Sequence, residues 1–100
     1  MLQSRFFSAA SISRQLDSRG GRAQYEVAIQ IQASPGAMVA IACVEYAFPP
    51  DFPNPVREVC DEPEVGFETS TLTTDPFTVM VTVVTHDGRR WTFPYEPFLY

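Results

Sequence analysis

From Tyr25 to Gln32 every second residue is large and apolar: Tyr25, Val27, Ile29 and Ile31 alternate with Glu26, Ala28, Gln30 and Gln32. A period of two puts the two sets on opposite faces of a strand, so this segment predicts a half-buried β-strand with one polar face. The pattern returns at Phe77, Val79, Val81 and Val83 against Thr78, Met80, Thr82 and Val84, and at Val44, Tyr46 and Phe48 against Glu45 and Ala47. Met38 to Phe48 is apolar on both faces, which predicts a central strand covered on each side. Trp91, Phe93 and Tyr95 share one face of a strand over Arg90 to Tyr95. No apolar 3.6-residue repeat reaches the length of a helix.

Turn signals fall between these segments. Gly20-Gly21 marks one, and Ser34-Pro35-Gly36 predicts another in which proline presets the bend and glycine takes a position needing positive φ. Asp87-Gly88 predicts a two-residue type I′ hairpin leading into Arg90 to Tyr95. Phe6 to Gln15 supplies a first edge strand. The first sixteen residues carry Arg5, Arg14 and no acid, as a targeting peptide would, but removing them would uncover the sheet they pair with. About seven or eight short strands in 100 residues read as an all-β, antiparallel sandwich. The chain reads as one domain over 1–100, with 1–22 providing the first edge strand and turn.

The segment after Phe48 departs from alternation. Pro49, Pro50, Pro53 and Pro55 remove four backbone donors within seven residues, so the chain there is neither helix nor central strand and Phe52 sits in a stiff turn. That loop, the following Arg57-Glu58-Val59-Cys60, the later Phe67-Glu68-Thr69-Ser70 and the closing Phe93-Pro94-Tyr95-Glu96-Pro97-Phe98-Leu99 resemble the hallmark segments of a prokaryotic YEATS domain. The resemblance runs from Ala23 to Tyr100 and is most specific in the loop and tail. It implies an immunoglobulin-like β-sandwich and, as in eukaryotic members, a pocket at one end that reads acylated lysine. It also implies a place beside bacterial signalling or conflict domains.

Composition narrows the function. All seven basic residues are arginine, and twelve acids bring the formal charge to −5. This disfavours direct nucleic-acid binding. Up to residue 50 there are four arginines and three acids, and beyond it three arginines and nine acids. The densest run is Glu58, Asp61, Glu62, Glu64 and Glu68, read either as a solvated surface or as a landing strip for a basic peptide. Two cysteines and one histidine do not assemble a zinc quartet, and no metal or cofactor is expected. Cys43 and Cys60 are read as small reduced core residues, consistent with a cytoplasmic protein. No stretch has the ~18 apolar residues of a membrane span.

Catalytic groups are sparse. His86 stands in a predicted hairpin, and Ser70, His86 and Asp75 form a triad on paper that no strained nucleophile turn supports. The chain is therefore expected not to be an enzyme. The resemblance puts Phe52 at the pocket phenylalanine, Pro49 at the family's histidine, Asp51 at its serine, Thr71 at its glycine and Leu72 at its second aromatic. Facing aromatic surfaces clamp a flat acyl amide, and here one of them remains, beside a carboxylate that favours a cation. The candidate site is thus Pro49, Asp51, Phe52, Thr71, Leu72 and Thr73, with Phe52 either a pocket wall or a cap on the core. The expected partner is a protein or peptide, basic or lysine-modified. The alternative is a structural module without a ligand, self-associating through edge strands or through the aromatic tail of Tyr95, Phe98 and Tyr100.

Overall fold

Each alternating segment is a strand in the computed structural model, which describes the backbone of residues 7–19 and 22–99. Phe6, the Gly20-Gly21 turn and Tyr100 lie outside the described residues. The strands are β1 (Ser8–Arg19), β2 (Arg22–Gln32), β3 (Ile41–Ala47), β4 (Val56–Cys60), β5 (Thr69–Thr73), β6 (Val79–Thr85) and β7 (Arg90–Tyr95). They form two antiparallel sheets, one in the order β1-β2-β5 and the other β4-β3-β6-β7. The expected first edge strand is present as β1, and Pro94 sits in β7, an edge strand where the missing donor costs no ladder bond.

The sheets bury the faces that the alternation marked. Val27, Ile29 and Ile31 of β2 meet Val44 and Tyr46 of β3 and Val79, Val81 and Val83 of β6, with Phe67 and Phe77 from the connections. Trp91 and Phe93 pack against this core from β7, where they stand opposite Val83 and Val81. The tail then crosses to the other sheet. Tyr95 Oη and Ser11 Oγ are 2.8 Å apart, and Ser13 Oγ donates to the Phe98 carbonyl, closing the side between β7 and β1.

Three local expectations are corrected. Ser34-Pro35-Gly36 opens a short helix, α1 (Pro35–Ala40), rather than a turn with a left-handed glycine. Ser34 Oγ accepts from the Ala37 N–H at 3.4 Å and proline occupies the first turn, where its missing N–H has no helical partner to lose. The strand read from Met38 therefore begins at Ile41, and its outer face, Cys43, Glu45 and Ala47, is half-buried rather than covered. The hairpin after β6 has three loop residues. The Gly88 N–H bonds to the Thr85 carbonyl at 3.0 Å, the Thr85 N–H to Arg89 at 3.0 Å, and only Gly88 of the central pair has positive φ. Such a turn leaves Asp87 right-handed, and its carboxylate accepts from Thr85 Oγ1 and from the Arg89 N–H.

A further correction is covalent. Cys43 and Cys60 are not reduced core thiols but a disulfide between register partners on β3 and β4. Both point to the outer face, as their spacing from the buried Val44 requires. The step from reduced thiols to a cytoplasmic compartment loses its premise. Among the described residues no helix is long and apolar enough to cross a membrane.

Candidate functional site

The proline segment between β3 and β4 folds back on itself. The Phe48 N–H bonds to the Pro55 carbonyl at 2.6 Å and the Phe52 N–H to the Pro49 carbonyl at 3.0 Å, so backbone bonds close the loop at both levels. This turns the Phe52 ring onto Phe48, with centroids 5.7 Å apart and planes 16° from parallel, and against Phe77 at 5.0 Å. Phe48 and Phe77 are themselves 5.8 Å apart. The half-buried Phe52 is thus anchored by the core aromatics Phe48 and Phe77.

Arg57, the second residue of β4, joins this loop to the opposite sheet. Its Nε donates to the Asn54 carbonyl at 3.1 Å and Nη2 to Pro53 at 3.0 Å, while Nη1 reaches the Ser70 carbonyl at 2.5 Å and Nη2 also donates to Thr71 Oγ1 at 3.1 Å. The guanidinium carbon lies 4.4 Å from the Phe48 ring centroid, a cation–π contact. Partial burial lowers the pKa of this group, which remains charged at any physiological pH. A planar five-donor fork can serve four acceptors on two chain segments; a lysine cannot. Along the chain Arg57 stands out only within the family motif. Its role depends on β4 and β5 lying across from each other, which no local pattern encodes.

Between the proline loop and the β5–β6 connection lies an open groove of about 440 Å³. It brings together five of the six expected residues, Pro49, Asp51, Phe52, Leu72 and Thr73. Thr71 is buried, bonded to Arg57, and does not line the groove. Gln24, Asp75 and Phe77 join the lining. Phe77 is a buried core residue that also reaches the groove, and Gln24 is delivered by the Tyr25–Thr73 strand pairing. Two carboxylates, Asp51 and Asp75, and no basic side chain are among its described lining residues. Thr73 Oγ1 is occupied by Asp75, donating to its carbonyl at 2.8 Å and accepting from its N–H at 3.3 Å, which fixes the bend of the second loop.

Two expectations about surrounding groups change. Most of the acidic run is carried away from the groove. Strand β4 carries the chain away from it, so Asp61, Glu62 and Glu64 stand at the other end, beyond a five-residue strand of ~17 Å. That exceeds the ~8–10 Å screening length at ordinary salt, so the described charges near the groove are Asp51 and Asp75 in its lining and the Arg57 guanidinium bonded to Pro53 beside it. The paper triad is also dispersed: Asp75 precedes β6 and His86 follows it, separated by the length of a seven-residue strand.

A sequence model of the prokaryotic YEATS domain matches residues 25–95. Among solved structures, one titled "The Yaf9 YEATS domain Recognizing H3K122suc Peptide" superposes with a TM-score of 0.66 at 14% sequence identity, covering 100% of this chain and 80% of that one. At that identity the likeness concerns the fold. No curated protein matches the sequence.

Proposed function

Because the chain belongs to the prokaryotic YEATS family, we propose that it is a non-catalytic peptide-binding module whose groove takes a basic side chain in preference to an acylated lysine. The observation that carries this reading is the presence of the Asp51 carboxylate beside an aromatic wall in the same groove. Clamping a flat acyl amide requires aromatic surfaces on both sides. Here the two lining aromatics, Phe52 and Phe77, pack against each other at 5.0 Å and leave no slot between them, while Leu72 and Thr73 are aliphatic and hydroxyl members of the lining. A neutral acyl group would desolvate Asp51 without pairing it, whereas an ammonium or guanidinium pairs with that carboxylate and lays its apolar stem along Phe52. A recognition module of this kind suits a bacterial signalling or defence protein.

Calorimetric titration with matched peptides carrying unmodified, acetylated or crotonylated lysine tests the proposal. The unmodified peptide should bind at least as well as the others, more weakly as salt rises, and more weakly again to Asp51→Asn. A tenfold preference for an acylated peptide, a difference of ~1.4 kcal/mol, overturns it. A second reading, self-association, draws on Phe98, which is 74% exposed on the tail. It predicts no saturable peptide binding and a sedimentation-detected oligomer that Asp51→Asn leaves intact and truncation before Phe98 dissolves.

A further inference from the structure

Strands β3 and β4 carry mirror-image triplets, Cys43-Val44-Glu45 and Glu58-Val59-Cys60, and their antiparallel register sets Cys43 opposite Cys60 and Glu45 opposite Glu58. Val44 is buried, so the alternate residues of these triplets share the outer face of the four-stranded sheet. The ligand atoms of Cys43, Glu58 and Cys60 all lie within 4.8 Å of one another. Both sulfurs are half-buried and Glu58 is exposed, so the cluster is open to solvent from one side. Counting cysteines and histidines along the chain excludes a zinc quartet; counting what the register places on one patch adds carboxylates to the donor set.

We propose that this patch has two chemical states, a disulfide when oxidised and a site for a thiophilic divalent cation, Zn2+ by donor type, when reduced. Reduction by a thiol breaks the S–S bond, gives each cysteine one hydrogen and leaves the reductant as its own disulfide. The cation then displaces both thiol protons to solvent and is held by two thiolates and the Glu58 carboxylate. A zinc ion at ~2.3 Å from sulfur and ~2.0–2.2 Å from oxygen needs ligand atoms about 3.5–3.8 Å apart. Rotamer adjustments on fixed strands bring the cluster to that spacing, because the ladder, not the disulfide alone, holds the two cysteine backbones side by side. Glu45, register partner of Glu58 on the same face, is outside the cluster, so water fills the fourth position. Either state clamps β4 to β3 just beyond Arg57, so exchanging one for the other keeps the proline loop anchored.

The test uses the full chain reduced anaerobically with a phosphine, which is converted to its oxide with water supplying the oxygen. Cobalt(II) titration should show one ion per chain with thiolate-to-cobalt charge-transfer absorption, displaced by Zn2+. The oxidised chain should show neither. Zinc loading should slow re-formation of the disulfide, read as the 2 Da mass loss. Glu58→Gln, an exposed change, should weaken Zn2+ binding at least about tenfold, and Cys60→Ser should abolish the charge-transfer band. The proposal is overturned if the reduced chain binds no stoichiometric metal or loses its β circular dichroism. It is equally overturned if oxidised protein binds as tightly, or if Glu58→Gln binds as the parent does, which would leave a bare dithiol chelate.

Discussion

Replacing Tyr46 with phenylalanine removes a single oxygen from the centre of the molecule. The Tyr46 side chain is fully buried, and its hydroxyl donates to the Phe67 carbonyl at 2.6 Å. Phe67 is itself fully buried with φ at 53°, and the bond ties β3 of one sheet to the connection that enters β5 of the other. Deleting the hydroxyl forfeits a hydrogen bond and deprives a buried carbonyl of this donor, so the expected loss is ~1–2 kcal/mol. For a domain of this size that lowers the midpoint by roughly 4–8 °C per kcal/mol. The same hydroxyl makes a pH prediction. Burial first, and the Glu68 carboxylate second, push its pKa well above the ordinary 10.0. A raised pKa means the unfolded chain gives up this proton first. The stability linked to the proton is thus complete below about pH 10 and lost as pH rises toward the folded-state value, by about 1.4 kcal/mol one unit above. The phenylalanine variant has no such proton. Urea titrations of both proteins at pH 7 and pH 11, disulfide intact, should show the variant weaker at pH 7 and nearly level with the parent at pH 11. A variant within ~0.3 kcal/mol of the parent at neutral pH, or a stability gap that does not change with pH, would refute the assigned bond and its linkage.

Three further outcomes are expected. Reducing the Cys43–Cys60 bond, which spans a sequence separation of 17, should cost ~3 kcal/mol by loop entropy, measured as the shift in urea midpoint with phosphine present. Gly66→Ala should lose at least ~1–2 kcal/mol in the same assay, because φ is +65° and the added carbon would lie 2.9 Å from the Ile31 carbonyl. Arg57→Gln should cost roughly 1–2 kcal/mol and speed hydrogen exchange selectively at the Phe48 and Phe52 amides, since the fork to Pro53, Asn54, Ser70 and Thr71 is gone; unchanged exchange there, by mass spectrometry, counts against its role as a staple.

Sequence by itself determined the strands and their inward faces. Val27, Ile29, Val44, Val81 and Val83 were legible because a period of two allows one burial pattern, and the prolines around Phe52 because their ring geometry acts without neighbours. The irregular loop that lines one part of the candidate groove was likewise legible, since the prolines around Phe52 break the alternation, whereas Leu72 and Thr73 belong to the end of strand β5. Tertiary structure decided what depends on register and on distance across the sandwich. It pairs Cys43 with Cys60, lets one guanidinium bind both Asn54 and Thr71, withdraws Thr71 from the groove and brings in Gln24 and Phe77. It also moves Asp61, Glu62 and Glu64 to the far end, because acids close in sequence to the loop are carried off by a whole strand. Local rules failed where two were in competition. Ser-Pro-Gly serves a turn or a helix start, and Asp-Gly a two- or a three-residue loop, and in each case the strands on either side selected the geometry that matched their ends.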